Sequence, residues 1–141
     1  MMQTFLPFQS FIESAACLDR QRLGKQRVEA KQILLALTDP NYGWKNHPAV
    51  QMWAGHEIAL ATYGYCVCAE WRRRGYKDSL KPFFSEWMGK GLASYPNWHG
   101  NPEFHRSHQS NLVRKYPEHY RKYFPDVPAD LEYVWPTSDR I

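Results

Sequence analysis

Arg22, Lys25, Glu29 and Gln32 follow one another at spacings of 3, 4 and 3. On a helix that spacing makes one polar line in which a single carboxylate is surrounded by donors. A solvated helix face is the plain reading. Two features count against it: Lys preceding Glu by four is the weaker orientation for a helical ion pair, and Arg20, Arg27 and Lys31 add more positive charge than the solubility of one helix requires. The chemical reading gives the phosphates of a polyanion to the basic residues. Glu29 is then left for acid–base or electrostatic work at a sugar, where cationic character develops as a glycosidic bond breaks. Phosphate binding without chemistry is the third reading.

A second cluster runs from His105 to Tyr116 and includes His108, Arg114 and Lys115, with Tyr120, Arg121, Lys122 and Tyr123 just beyond. Donors interleaved with aromatics suit phosphate contact and base stacking. His105 and His108 are three apart, yet no acidic or cysteine ligand stands at a recognisable spacing, so no metal is expected. His47, next to Pro48, reads first as a helix-capping or core histidine and second as a nucleic-acid contact. Trp44, Trp53, Trp71, Trp87 and Trp98 are expected mostly in the core, with one or two free to wall a site for an extruded base.

These residues need helices to position them. Ser10 followed by Glu13 matches a capping box, and a helix is expected to begin there after an extended start. Leu23, Ala30, Leu34 and Leu37, with Ile33 beside them, give an amphipathic helix over 18–37, ended by Thr38-Asp39-Pro40. Asn46-His47-Pro48 opens a long central helix that runs to Arg72-Arg73-Arg74-Gly75 and is apolar on much of its circumference. Within it, Gly55 and Gly64 call for either close packing or a bend. Shorter helices are expected over 83–88, 101–115 and 117–123, followed by an extended tail from Pro125. No alternating strand pattern or internal repeat is present, so the expectation is an all-α single domain over 1–141: a helical bundle around a buried central helix.

Composition narrows the class further. At 141 residues the chain suits one core. Its apolar material sits in large rings, six Trp and nine Tyr, and no run approaches the ~20 apolar residues of a membrane span. The net charge of +4 selects no partner by itself; the clustering of Arg20, Arg22, Lys25, Arg27 and Lys31 is the better sign of a polyanion. Cys17, Cys66 and Cys68 give neither a disulfide framework nor a zinc site. The start of the sequence carries no secretory leader pattern, so the cytoplasm is the expected compartment. No cofactor motif is found.

The stretch Leu18-Asp19-Arg20-Gln21-Arg22-Leu23-Gly24-Lys25-Gln26-Arg27-Val28-Glu29 resembles the first helix of the pyrimidine-dimer DNA glycosylase family. Asn46-His47-Pro48 through Trp53 to Arg72-Arg73-Arg74-Gly75-Tyr76 is similar to the family's central helix, and His108 to Tyr123 to its C-terminal DNA-binding region. The resemblance implies that Glu29 is the catalytic carboxylate and that Arg114, Lys115, Arg121 and Lys122 bind DNA. It also implies a nucleophilic amine at the N-terminus, here Met1, with Lys25 the other amine in the motif. In two places the chain departs from the family pattern: Met2 and Gln3 stand where a small residue would allow trimming, and Val28 replaces an arginine beside the glutamate.

The expected function is excision of a damaged or modified pyrimidine from duplex DNA by a monomer. Arg20, Arg22, Arg27, Gln32, His47, His105, His108, Arg114, Lys115, Arg121 and Lys122 would contact nucleic acid, and Glu29, Met1 and Lys25 would carry the chemistry. A nucleoside-processing enzyme of the same fold and a non-catalytic nucleic-acid-binding module are the alternatives.

Overall fold

A computed structural model describes residues 2–136. Its helices are α1 (Phe11–Cys17), α2 (Arg20–Thr38), α3 (Pro48–Gln51), α4 (Glu57–Arg73), α5 (Lys81–Met88), α6 (Pro102–Lys115) and α7 (Pro117–Tyr120), and no strand occurs among the described residues. The architecture is all-α.

The helix starts follow local chemistry. Ser10 Oγ accepts from Glu13 N at 3.1 Å, the Asp19 carboxylate accepts from Arg22 N at 3.4 Å, and Asn101 Oδ1 accepts from Glu103 N and Phe104 N. Each side chain satisfies amides that the first turn leaves without partners. Tyr120 Oη donates to Asp19 and accepts from its backbone N–H, which ties α7 to the start of α2. At the other end of α4, Arg74 donates to the carbonyls of Ala16 and Leu18 and so closes the exit of α1.

The core forms where α2 and α1 pack on α4 and α5 packs beside it. Leu23, Ala30, Ile33 and Leu34 from α2 meet Ala59, Leu60, Tyr63 and Val67 from α4, all essentially excluded from water. Each large aliphatic contributes roughly 1.5–3 kcal/mol relative to an exposed position. Gly64 is fixed by contact: a Cβ there would stand 2.4 Å from the Phe84 ring of α5.

The single long helix expected from 48 to 75 is divided. α3 ends after one turn, residues 52–56 form a turn with Gly55 at φ +84°, and α4 begins at Glu57. Only glycine adopts that φ at little cost, so the two glycines have different reasons, a bend at 55 and close packing at 64. No helix among the described residues is long and apolar enough to cross a membrane. The three cysteines are unpaired, and burial pushes Cys17 and Cys68 up to about 12, which leaves them as inert thiols.

Residues 2–6 have no secondary structure and are nevertheless buried. The backbone groups of Gln3, Phe5 and Leu6 are satisfied by side chains reaching from three helices. Gln26 of α2 donates to Gln3 O at 2.8 Å and accepts from Phe5 N at 2.9 Å, and Tyr63 of α4 donates to Phe5 O. From α6, His108 Nδ1 accepts from Leu6 N at 2.9 Å and His105 Nδ1 meets Leu6 O at 2.8 Å. The tail returns over α6, where Ser110 and Ser107 accept from Leu131 N and Val134 N.

Candidate active site

Two cavities adjoin along one face of α2. The first, about 680 Å³, is lined by Met2, Gly24, Lys25, Val28, Glu29 and Gln32, with Trp44 and His47 supplied by the loop after α2. The second, about 490 Å³, is lined by Gln3, Phe5, Gln21, Arg22, Lys25, Glu29 and Lys115. Lys25 and Glu29 line both. One cavity is apolar and aromatic, the other carries three cations, and the carboxylate stands where they meet.

Glu29 is held there by the N-terminal segment, since its Oε1 accepts from Gln3 N at 3.0 Å. Burial pushes its carboxyl above the ordinary range, against the opposing pull of the Gln3 N–H, Lys25 and Lys115. A carboxyl so placed keeps its proton to higher pH than a solvated glutamate. Lys115 lies 5.9 Å from the Phe5 ring centre, and burial, followed by the nearby Arg22, Arg114 and Lys25, lowers its pKa. Arg22 is braced by Asp19 at 3.1 Å.

The loop 39–47 closes the first cavity in a different manner. Trp44 is 60% exposed and sits at φ +73°, the only non-glycine residue at positive φ among the described residues. For a bulky L-residue that region costs roughly 1–2 kcal/mol. His47 caps α3, its Nδ1 accepting from Ala49 N at 3.0 Å, and its ring meets Trp44 and Trp135 edge-on. It is thus a capping histidine that also lines the cavity.

The polar line read from the sequence is assembled as a unit: Arg22, Lys25, Glu29 and Gln32 all reach one of the two cavities, joined by Lys115 from α6 and His47 from the loop. Other expected contacts lie elsewhere. Arg27 turns away to Asp78, 2.7 Å distant, and lies over the Trp71 ring. Arg20 lines a separate cavity with Arg74, Tyr116, His119 and Tyr123. Arg114 donates to Ala129 O and Arg121 to Val127 O, so both brace the tail, while Lys122 is exposed.

His105 and His108, expected among the nucleic-acid contacts, lie inside at 6% and 0% exposure. Their ring nitrogens are needed by Leu6, whose backbone has no helix or strand to satisfy it. Burial, followed by His105, pushes His108 down to about 3. Met1, expected as a catalytic amine, lies outside the described residues.

The sequence reading missed Gln26 and Gln3, and it named Trp44 among five tryptophans without singling it out. For Gln26 a signal existed: it falls in register with Leu23, Ala30 and Ile33, and a glutamine in an apolar stripe must find partners inside. Nothing local marks Trp44.

Neither curated proteins nor solved structures give a match to this chain. Residues 2–82 match the family model described as pyrimidine dimer DNA glycosylase. That stretch carries the N-terminal segment, all of α2 with Glu29, and the loop with Trp44 and His47. The chain therefore belongs to the pyrimidine dimer DNA glycosylase family.

Proposed function

We propose that the protein releases a damaged or modified pyrimidine from duplex DNA, with Glu29 as the acid–base group. The observation that carries this reading is the position of Glu29: half-buried, with a raised pKa, between an aromatic and a cationic cavity in a chain of this family. Arg22 and Lys115 bind backbone phosphates, and the base is drawn toward the other side of Glu29. Both cavities are built from one chain, so a monomer suffices.

In the chemical step an amine adds to C1′ as the glycosidic bond breaks. The bonding pair leaves with the base, which takes a proton from Glu29. The added amine loses one proton and O4′ gains one as the sugar ring opens, which leaves an iminium; the Glu29 carboxylate then takes a C2′ proton and the 3′ phosphate leaves. Lys25 lines both cavities and supplies one candidate amine. The other is an α-amine. Gln3 N lies 3.0 Å from Glu29 Oε1, and one residue spans at most about 3.6 Å. In a chain whose translation starts at Met2, the free amine therefore stands within about 7 Å of the carboxylate.

The test is borohydride trapping on labelled duplexes that carry a thymine dimer, an abasic site or no lesion. The expected result is glycosidic-bond cleavage at the dimer, read as strand cleavage there, and a covalent adduct on the lesion-bearing duplexes alone, with mass mapping to assign it to Lys25 or the N-terminus. Failure to cleave the glycosidic bond in the damaged duplex contradicts the reading.

A further inference from the structure

We propose that the C-terminal tail completes the active site from outside the stretch that matches the family model: Trp135, stacked on Tyr133, is a positioning residue that holds His47 and, through it, the Trp44 loop against the first cavity. This deepens the glycosylase reading and rests on it only for what the cavity takes in.

The tail is built as an extended strap. Over 131–135 its residues alternate, with Leu131, Tyr133 and Trp135 half-buried and Glu132 and Val134 exposed, the pattern of an extended chain that lays one face against the protein. Hydrogen bonds pin its backbone to α6 on either side of Tyr133: Ser110 Oγ accepts from Leu131 N at 3.0 Å and Ser107 Oγ from Val134 N at 3.2 Å. Arg114 Nη1 donates to Ala129 O at 2.8 Å. The Tyr133 ring lies 4.5 Å from that of His108, and its hydroxyl 3.4 Å from His108 Nδ1. Burial, followed by the Glu29 carboxylate, raises the pKa of the Tyr133 phenol, as expected of a strap that passes close to that carboxylate.

From this anchor a run of rings crosses to the loop. Trp135 stacks on Tyr133 at 4.6 Å and 17° and meets His47 edge-on at 6.1 Å, and His47 meets Trp44 edge-on at 5.9 Å. These separations lie in the range of roughly 4.5–7 Å over which paired rings attract. The loop's own hydrogen bonds are local, from Tyr42 N to Asp39 O, Lys45 Nζ to Pro40 O and His47 N to Trp44 O. Trp44 sits at φ +73°, a conformation that persists only when surrounding contacts enforce it. Trp135 thus meets a residue that both caps α3 and lines the cavity, which mere covering of the core would not require. α6 therefore holds both walls of that cavity, the N-terminal segment through His105 and His108 and the loop through Tyr133 and Trp135.

The test compares wild type, Trp135→Ala and Trp135→Phe in the full chain. Trypsin cuts after Lys45, exposed in the loop, with Lys90 in the segment after α5 as the internal reference. In Trp135→Ala, native-state cleavage after Lys45 should quicken about tenfold relative to Lys90, the effect of losing the two ring contacts, and Trp135→Phe should recover most of the protection. On a duplex carrying a thymine dimer, KM should rise about tenfold with kcat within about threefold, because Glu29 is held by Gln3. Cleavage after Lys45 that is unchanged, or that rises equally with Lys90, overturns the proposal, as does a loss of kcat with KM unchanged. The proteolysis decides even if wild type leaves the damaged duplex intact, a result that would remove the glycosylase reading instead.

Discussion

The two sides of the aromatic cavity are built on opposite principles. Residues 2–6 have no regular structure, yet the backbone of Gln3, Phe5 and Leu6 is held by side chains from Gln26, Tyr63, His105 and His108. The loop 39–47 is mostly exposed, and its largest side chain occupies a backbone region that disfavours it. The carboxylate is thus attached to the hydrogen-bonded wall, through Gln3 N and Glu29, while the aromatic ring rides on the exposed one. Positioning of a reacting group tolerates little error, whereas a stacking surface can adapt to its base.

Breaking the rigid wall should have the largest consequence. Gln26→Ala leaves Gln3 O and Phe5 N buried without partners, at a combined cost of about 3 kcal/mol. Thermal unfolding should show that loss, and base release should fall about 100-fold as Gln3 leaves Glu29. Full activity in this variant would mean that the N-terminal segment does not position the carboxylate.

A second break uses pH. His108 titrates near 3 in the fold and near 6.5 when unfolded. Between those values the unfolded chain binds the extra proton, so stability falls as pH drops below about 6.5. The expected loss from pH 7 to pH 5 is about 2 kcal/mol, measured by denaturant unfolding. His105, also lowered by burial, acts in the same direction. In His108→Gln the dependence should shrink, because the amide oxygen still accepts from Leu6 N but does not titrate.

The loop should respond with the opposite sign. Trp44→Gly relieves the positive φ and should raise stability by about 0.5–1 kcal/mol, net of the greater freedom of glycine in the unfolded chain. A fall in melting temperature would show that Trp44 is a structural residue. The smallest effect is expected from Lys115→Ala, which removes one phosphate contact. The slope of log K against log salt should then shrink by about 0.9 with the fold unchanged, and an unchanged slope would take Lys115 off the DNA.

Much of this was legible in the sequence because it is local. The cap Ser10 and the stripe of α2 depend on neighbours within one or two turns, and the line from Arg22 to Gln32 follows from helical spacing alone. What was not legible depends on distant partners. His105 and His108 have the types and spacing of surface ligands, but Leu6, far away in sequence, claims both rings. Arg27 likewise looked like a phosphate ligand until Asp78 was seen to hold it. The break between α3 and α4 turns on the φ of Gly55, for which the sequence offered packing and bending equally.

The most direct test of the central claim is base release and DNA binding by Glu29→Gln on a duplex carrying a single damaged pyrimidine, 5-hydroxymethyluracil. The glutamine keeps the size of the side chain and an oxygen to accept from Gln3 N, but it has no titrating proton. Base release should fall by about 10²- to 10⁴-fold, the usual contribution of a general acid–base group, with binding affinity held within about threefold. Unchanged base release would contradict the assignment of Glu29 and, with it, the chemistry placed between the two cavities.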